Sequence, residues 1–369
     1  MKNKKHFITA IFLVFVFSLS VLFFALPKSE YSSNEKRVLE KTPKFSVSSL
    51  FDGSLGTNVE NYLSDHFPFR NFFVGLNAYF ELYTGRNGTG GIYSAKDGYL
   101  ISAPEKINET ALLNNIERFS QFAKDNELKA KLILVPSAGY ILEDKLPKYH
   151  EEYNDEKIFS VVLEKSNMEL IDLRESFKND ENQLYYKTDH HLTAYGSYLM
   201  YEKYVESLGE EAKTFETKEV YDDFYGTTYS RSGLWNKKPD TIEVWKNENA
   251  KVSVTIDDAT SSKTSDSLFF TEHLNEDDKY PVYLDGNHSL VTIKNENCDN
   301  GKKLLIIKDS YAHCFTTFLY EHYSEIYMVD MRYYRKSVSS LVDENGITDV
   351  LYLYGVDNFS TDTNSAWLM

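Results

Sequence analysis

The chain has 369 residues, 42% apolar and 26% charged, enough for one large domain or two ordinary ones with a proper core. Its net charge is −16, and the first 26 residues carry three lysines and no acid, so the remainder is more acidic still. That excludes the basic stripe of a nucleic-acid binder and broad electrostatic capture of a polyanion, and fits a neutral or locally gripped substrate.

At the N-terminus, Lys2, Lys4 and Lys5 precede the uncharged run Phe7 to Leu26. Such a run is long enough to cross a bilayer as a helix, and the lysines favour an N-in orientation. The rival is a cleaved signal peptide. Phe24-Ala-Leu-Pro27 makes a poor cleavage site, so residues 1–26 read as a signal anchor with the rest of the chain outside the cell. Residues 27–50, polar and interrupted by Pro27 and Pro43, read as a tether. One domain over 51–369 is expected to follow.

Residues 51–84 have helical character, broken at Phe67-Pro68, and Asp97-Gly98 predicts the turn of a hairpin over 91–101. An α/β stretch comes next. It has helices over 109–126 and 154–165, and short apolar strands over Lys131–Pro136 and Met168–Leu173. A helix is expected over Ala194–Leu208. From about 213 to 297 the pattern turns β-rich, at Thr241–Trp245, Lys251–Ile256 and Tyr280–Asn287, and predicts an antiparallel insertion. The α/β alternation resumes with strands over Lys303–Ile307, Glu325–Val329 and Asp349–Tyr354 and a helix over Ser337–Asp343. The fold class is therefore α/β, a parallel sheet with crossover helices built from both flanks of the insertion. Cys298 and Cys314 make neither a disulfide framework nor a metal pattern and read as two isolated thiols.

Two short motifs carry the chemistry. Leu305-Ile-Ile-Lys-Asp-Ser-Tyr311 sets Ser310 where an apolar strand hands over to a helix, the edge at which open α/β sheets collect their sites. An N-cap role alone would also explain a serine there. Lys187-Thr-Asp-His-His-Leu-Thr193 supplies Asp189 and His191, an acid two residues from an imidazole. With Ser310 these are the three groups of nucleophilic acyl transfer: a hydroxyl, a base and a carboxylate to orient the base. Two other readings compete. Asp189 caps the following helix, or Asp189, His190 and His191 hold a metal, although adjacent residues seldom converge on one ion without ligands elsewhere.

The chain resembles the DHHW family of Gram-positive bacteria. The resemblance runs through Asn34–Leu39, Asp65–Arg70, Lys96–Leu100, Thr188–His191, Asp222–Gly233, Lys308–Tyr311 and Val329–Tyr334. Two positions depart from the expected pattern: Leu192 stands where the family has Trp, and Lys308 where simpler SGNH hydrolases have Gly. That family is similar to the alginate O-acetylation proteins, whose domain is SGNH-hydrolase-like with a circularly permuted motif order. The resemblance implies Ser310 as nucleophile, His191 as general base and Asp189 as its orienting carboxylate, with no cofactor and no metal. It implies Asn358, in Gly355-Val-Asp-Asn358, as an oxyanion donor beside the Ser310 amide; a plain turn after the strand explains the same residues. Arg332 and His190 are further candidates for holding substrate. The implied activity is O-acetylation of a cell-surface or secreted polysaccharide, with a membrane-bound O-acyltransferase as partner. An esterase and a non-catalytic carbohydrate-binding scaffold are the alternatives.

Overall fold

The computed structural model describes residues 2–368. These divide into two compact units, one running up to Gly90 and joined by Ser230–Asn236, the other made of Gly91–Tyr229 and the chain from Lys237 onward. The expected domain start at residue 51 thus falls inside the first unit.

The first unit is helical. Helix α1 (Lys2–Ala25) contains the stretch His6–Ala25, whose mean hydropathy of 2.7 makes it long and apolar enough to cross a membrane. Three further helices follow: α2 (Val47–Phe51), α3 (Ser54–Asp65) and α4 (Arg70–Tyr83). Pro68 separates the last two, because its ring cannot continue a helix. Asp65 ends α3 and folds the preceding segment back on it. Its carboxylate accepts from Arg37 Nη1 at 3.0 Å and from the Glu40 amide at 2.8 Å, and the Arg37 hydrogen bond pulls it down to about 2. Part of the expected tether is therefore fastened to this unit. On α4, Gly75 lies under the Trp235 ring so closely that a Cβ there would be 1.9 Å from Cζ3, so no larger residue fits.

The second unit is built on an eight-stranded sheet. In chain order its strands are β1 (Lys129–Val135), β2 (Glu169–Ile171), β3 (Val252–Asp257), β4 (Ser262–Ser265), β5 (Leu290–Asn295), β6 (Lys303–Lys308), β7 (Glu325–Val329) and β8 (Asp349–Gly355). The spatial order is β4-β3-β5-β7-β6-β8-β1-β2. From β7 to β2 the strands run parallel, whereas β4, β3 and β5 extend one edge antiparallel. Half of the β-rich stretch is thus the continuation of the main sheet. The other half is a two-stranded ribbon, Thr217–Phe224 with Asp240–Lys246. The strand expected over Tyr280–Asn287 is absent among the described residues. Pro281 sits in a short 3₁₀ turn, and Leu284 and Asp285 have φ of 56° and 62°, which no strand accommodates.

Strand β6 shows why the sheet is buried on both sides. Leu304 and Ile306 face one apolar cluster, Leu305 and Ile307 the other, and all four are fully buried. On the first face lie α7 (Ala194–Ser207) and α8 (Ala312–Leu319). On the second lie α5 (Glu109–Asp125), α6 (Asp155–Lys165) and α9 (Val338–Asn345). The carboxyl ends of β1, β6 and β8 meet at one edge, where three connections emerge side by side.

Candidate active site

Ser310 lies two residues beyond the end of β6 and two before α8, on the strand-to-helix turn. The carboxylate of Asp309 shapes that turn. It accepts from the Tyr311 amide at 3.0 Å, the Gly355 amide at 2.8 Å and Asn358 Nδ2 at 2.8 Å. Gly355 has no room for a side chain, since a Cβ would be 2.6 Å from the Tyr311 ring. Asn358, at the start of α10 (Val356–Thr361), thus spends one amide hydrogen on Asp309 and keeps the other. Among the described residues the Ser310 amide meets no protein acceptor.

The Asp-His-His loop is a closed hairpin. Tyr185 bridges Leu192, the Tyr186 amide donates to the His191 carbonyl, and the Thr193 amide to the Leu184 carbonyl. Buried Asp240 anchors the loop, accepting from the amides of Lys187 (3.0 Å) and Thr188 (2.7 Å) and from the Thr188 hydroxyl (2.6 Å). Leu192, at the position where the resemblance leads one to expect Trp, is 1% exposed and packs in the core.

The loop and the turn meet in a hydrogen-bonded chain. His191 Nε2 is 2.7 Å from Ser310 Oγ, and His191 Nδ1 is 2.6 Å from Asp189 Oδ1. An ionised carboxylate only accepts, so Nδ1 carries the ring proton and bare Nε2 faces the serine hydroxyl. The second oxygen of Asp189 accepts from the Thr227 amide at 2.6 Å and the Thr227 hydroxyl at 3.0 Å. His190 Nδ1 in turn donates to Thr227 Oγ1 at 2.7 Å. Gly226 admits this packing, because a Cβ there would be 2.3 Å from Asp189 Oδ2.

Burial alone would push Asp189 up. Electrostatic attraction to the His190 and His191 rings and the hydrogen bonds from His191 and Thr227 outweigh it, and the carboxyl is held well below its ordinary range. It is therefore an anion at any neutral pH. The ligand atoms of Asp189, His190 and His191 lie within 4.8 Å of one another, as a metal would need. Here each is already engaged: Asp189 with His191 and Thr227, His190 with Thr227, His191 with Asp189 and Ser310. The donor set fits an acid–base–nucleophile relay better than an ion.

Tyr280 lies flat on the His191 ring, with centroids 3.8 Å apart and planes 9° from parallel. It comes from the segment whose chain was expected to be strand. The stack holds the imidazole plane in line with both its partners. Tyr280→Phe keeps the face and is expected to retain activity within about threefold, while Tyr280→Leu loses about 10- to 100-fold in kcat with little change in KM. Steady-state kinetics on a small acetyl ester, with thermal melting as a control for folding, separates the two.

Arg332 does not project into open space. Its guanidinium donates to Asp330 through Nε (2.9 Å) and Nη2 (2.6 Å) and to Asn287 Oδ1 (3.0 Å). Asp330 also lies 3.4 Å from the ammonium of fully buried Lys308, which donates to His313 Nε2 at 2.6 Å. Burial lowers Lys308 and holds His313 well below its ordinary value. Lys308 thus serves a buried polar network beside the serine turn.

A second acidic group lies at the same sheet edge. Burial first, then Asp155 and Glu105, push Asp357 up to about 7, and Ser137 Oγ approaches its Oδ2 at 3.5 Å. The folded chain therefore keeps this proton between about pH 4 and 7 where the unfolded chain releases it, and stability falls as pH rises through that window. Asp357→Asn is expected to raise the melting temperature above pH 7, by an amount worth up to about 4 kcal/mol, and to change nothing near pH 4. Melting curves across that range check it.

The comparisons with known proteins follow the same outline. The family model of the DHHW proteins matches residues 93–329, more than half of the chain. The chain belongs to the DHHW family. No curated protein sequence matches it. Among solved structures it is similar to a DHHW family protein from Eubacterium siraeum DSM 15702, with a TM-score of 0.63 and 22% identity over 75% of this chain and 94% of that one. It is similar to Bacillus cereus PatB1 with a sulfonyl adduct, with a TM-score of 0.63 and 23% identity over 75% and 98%. The O-acetyltransferase domain of Pseudomonas putida AlgJ gives a TM-score of 0.46 and 11% identity over 74% and 93%. The first two likenesses establish a shared α/β architecture with a large, mostly parallel sheet.

Of the residues singled out in the sequence, the structure brings Ser310, His191 and Asp189 into one chain and sets His190 beside it. Asn358 lies one carboxylate away, and Arg332 is engaged with Asp330. Sequence reasoning missed Asp240, Gly226, Thr227 and Tyr280. Gly226 and Thr227 do fall in the stretch Asp222–Gly233 that carries the family resemblance, which was the available signal.

Proposed function

We propose that this DHHW protein is a membrane-anchored, extracytoplasmic serine acyltransferase that O-acetylates a cell-surface or secreted polysaccharide. The observation that carries the reading is the Ser310–His191–Asp189 chain, with hydrogen bonds of 2.7 and 2.6 Å at a sheet edge suited to ligands. Family membership supports it, as does the sulfonyl adduct carried by the related PatB1, a group typical of an attacked nucleophile. The finer fold reading, an SGNH-like domain with a permuted motif order, belongs to the same proposal.

In the reaction, His191 Nε2 takes the Ser310 proton as Oγ attacks the carbonyl carbon of an acetyl donor. The Ser310 amide and the unspent hydrogen of Asn358 hold the oxyanion. Collapse expels the donor's leaving group, which takes the proton from His191, and leaves acetyl-Ser310. A sugar hydroxyl then attacks the ester, giving its proton to His191, and Ser310 Oγ leaves as the free hydroxyl. Because acetyl-CoA is a cytoplasmic donor, an exported enzyme needs acetyl groups delivered across the bilayer, the task of a membrane-bound O-acyltransferase partner.

The test is to incubate the full chain with a small acetyl ester, with and without acceptor oligosaccharides, and to measure acetate and acetylated sugar. Acetyl flux that moves from water to sugar when the acceptor is added supports the transferase. Acetate release indifferent to sugar makes the protein an esterase, and no turnover with either makes it a scaffold.

A further inference from the structure

The first unit presents an apolar face that nothing in the catalytic reading uses. On α4, Phe72, Leu76, Phe80 and Tyr83 follow one another at helical spacing, and all four are at least half exposed. On α3, Val59 and Leu63 are exposed four residues apart, and Val47, Leu50 and Phe51 of α2 add to the same kind of surface. The residues of α4 that the unit buries are Gly75 and Ala78, beside Trp235 and Gly233, and at the start of the stripe Phe72 also stacks on Trp235 while keeping half its surface exposed. So many exposed large apolar side chains on three short helices are unusual in water and mark a contact site.

Three observations say what covers it. First, α3 stands at the end of the apolar helix: Tyr62 packs edge-on against Phe23 of α1, with centroids 6.1 Å apart. Second, the chain between them is not free to carry α3 away, because Asp65 at the end of α3 grips Arg37 and Glu40. Third, Lys28 lies over the Phe23 ring at 3.6 Å and donates to the Phe23 carbonyl, setting a cation at the carboxyl end of α1, where a membrane helix meets headgroups. Phenylalanine, tyrosine and leucine beside a membrane helix are the composition of an interfacial segment.

We propose that α3 and α4 form an interfacial platform whose exposed apolar face enters the outer leaflet at the headgroup–acyl boundary. The occupant of this face is lipid. The proposal rests on the reading of α1 as an uncleaved membrane anchor. It gives the unit a task separate from catalysis: to hold the start of the exported chain against the bilayer.

The experiment uses the full chain, with Cys298→Ser, in nanodiscs of phosphatidylglycerol and phosphatidylethanolamine; fully buried Cys314 stays unreactive in the folded protein. A polarity-sensitive fluorophore is attached at Phe80→Cys or Leu76→Cys, and at Asn77→Cys as an exposed position off the stripe. Lipids doxyl-labelled near the headgroup end of the acyl chain then quench. The expected result is quenching at 80 and 76 several-fold stronger than at 77, with a blue-shifted emission. Equal quenching at all three positions overturns the proposal. So does emission that shifts in detergent, without lipid, together with a doubled particle mass, for then a second copy covers the face. Failure of the chain to co-elute with the discs overturns the anchoring itself and is read separately, before any quenching is measured.

Discussion

Replacing Ser310 by alanine is expected to reduce kcat/KM for acetyl esters by about 10⁴-fold or more and to leave the melting temperature nearly unchanged. The size follows from the chemistry, since among the described residues no other hydroxyl shares the contact with His191 Nε2. Water attack assisted by the remaining donors sets the residual rate. The small effect on stability follows from the site: Ser310 is half-buried, and its turn is held by Asp309, Gly355 and Tyr311 rather than by its own hydroxyl. His191→Ala is expected to lose as much alone and little further when combined with Ser310→Ala, because the two act as a unit.

Asp189→Asn is the second large effect, and its direction can be worked out from the donors around the carboxylate. The Oδ2 position receives both the amide and the hydroxyl of Thr227, so an asparagine turns its oxygen there. Its NH₂ then faces His191 Nδ1, which must become an acceptor, and the ring proton moves to Nε2. Nε2 now donates toward Ser310 and cannot take its proton. A loss of about 10³- to 10⁴-fold in kcat is expected with the fold intact. Ester kinetics together with the imidazole nitrogen resonances would show the tautomer exchanged. Asp189→Ala differs by stranding the Thr227 donors in a buried site, and is expected to destabilise the chain by about 1–3 kcal/mol as well.

These effects were partly visible in the sequence because their geometry is local. Asp189 and His191 are two residues apart, and a tight loop brings acid and ring together through one backbone amide, His191 N to Asp189 Oδ1 at 2.9 Å. Ser310 was legible because Leu304–Ile307 can only be a strand buried on both faces, which sets the next residues at its carboxyl edge. The helices and parallel strands were readable for the same reason, with Glu325–Val329 falling where its apolar run predicts.

The rest depends on contacts that no window of sequence contains. Asp240 holds a loop more than fifty residues earlier, and its own neighbourhood reads as an ordinary strand start. Tyr280 reaches His191 because Pro281 and two residues of positive φ turn the chain out of the strand that its composition suggests. The edge strands β3, β4 and β5 look like an insertion by alternation alone, yet β5 pairs with β7 and so joins the main sheet. Arg332 reads in the sequence as either a substrate-holding group or one half of a surface ion pair, and only the fold shows Asp330 and Asn287 holding it.

Whether Ser310 carries the acyl group is decided by quenching the full chain during reaction with a small acetyl ester. Intact-mass analysis and peptide mapping then locate any added mass. One acetyl group is expected on the peptide holding Ser310, absent from Ser310→Ala and slow to form in Asp189→Asn. Turnover of the ester with no acetyl on Ser310, or an adduct that persists in Ser310→Ala, would contradict the acyl-serine mechanism.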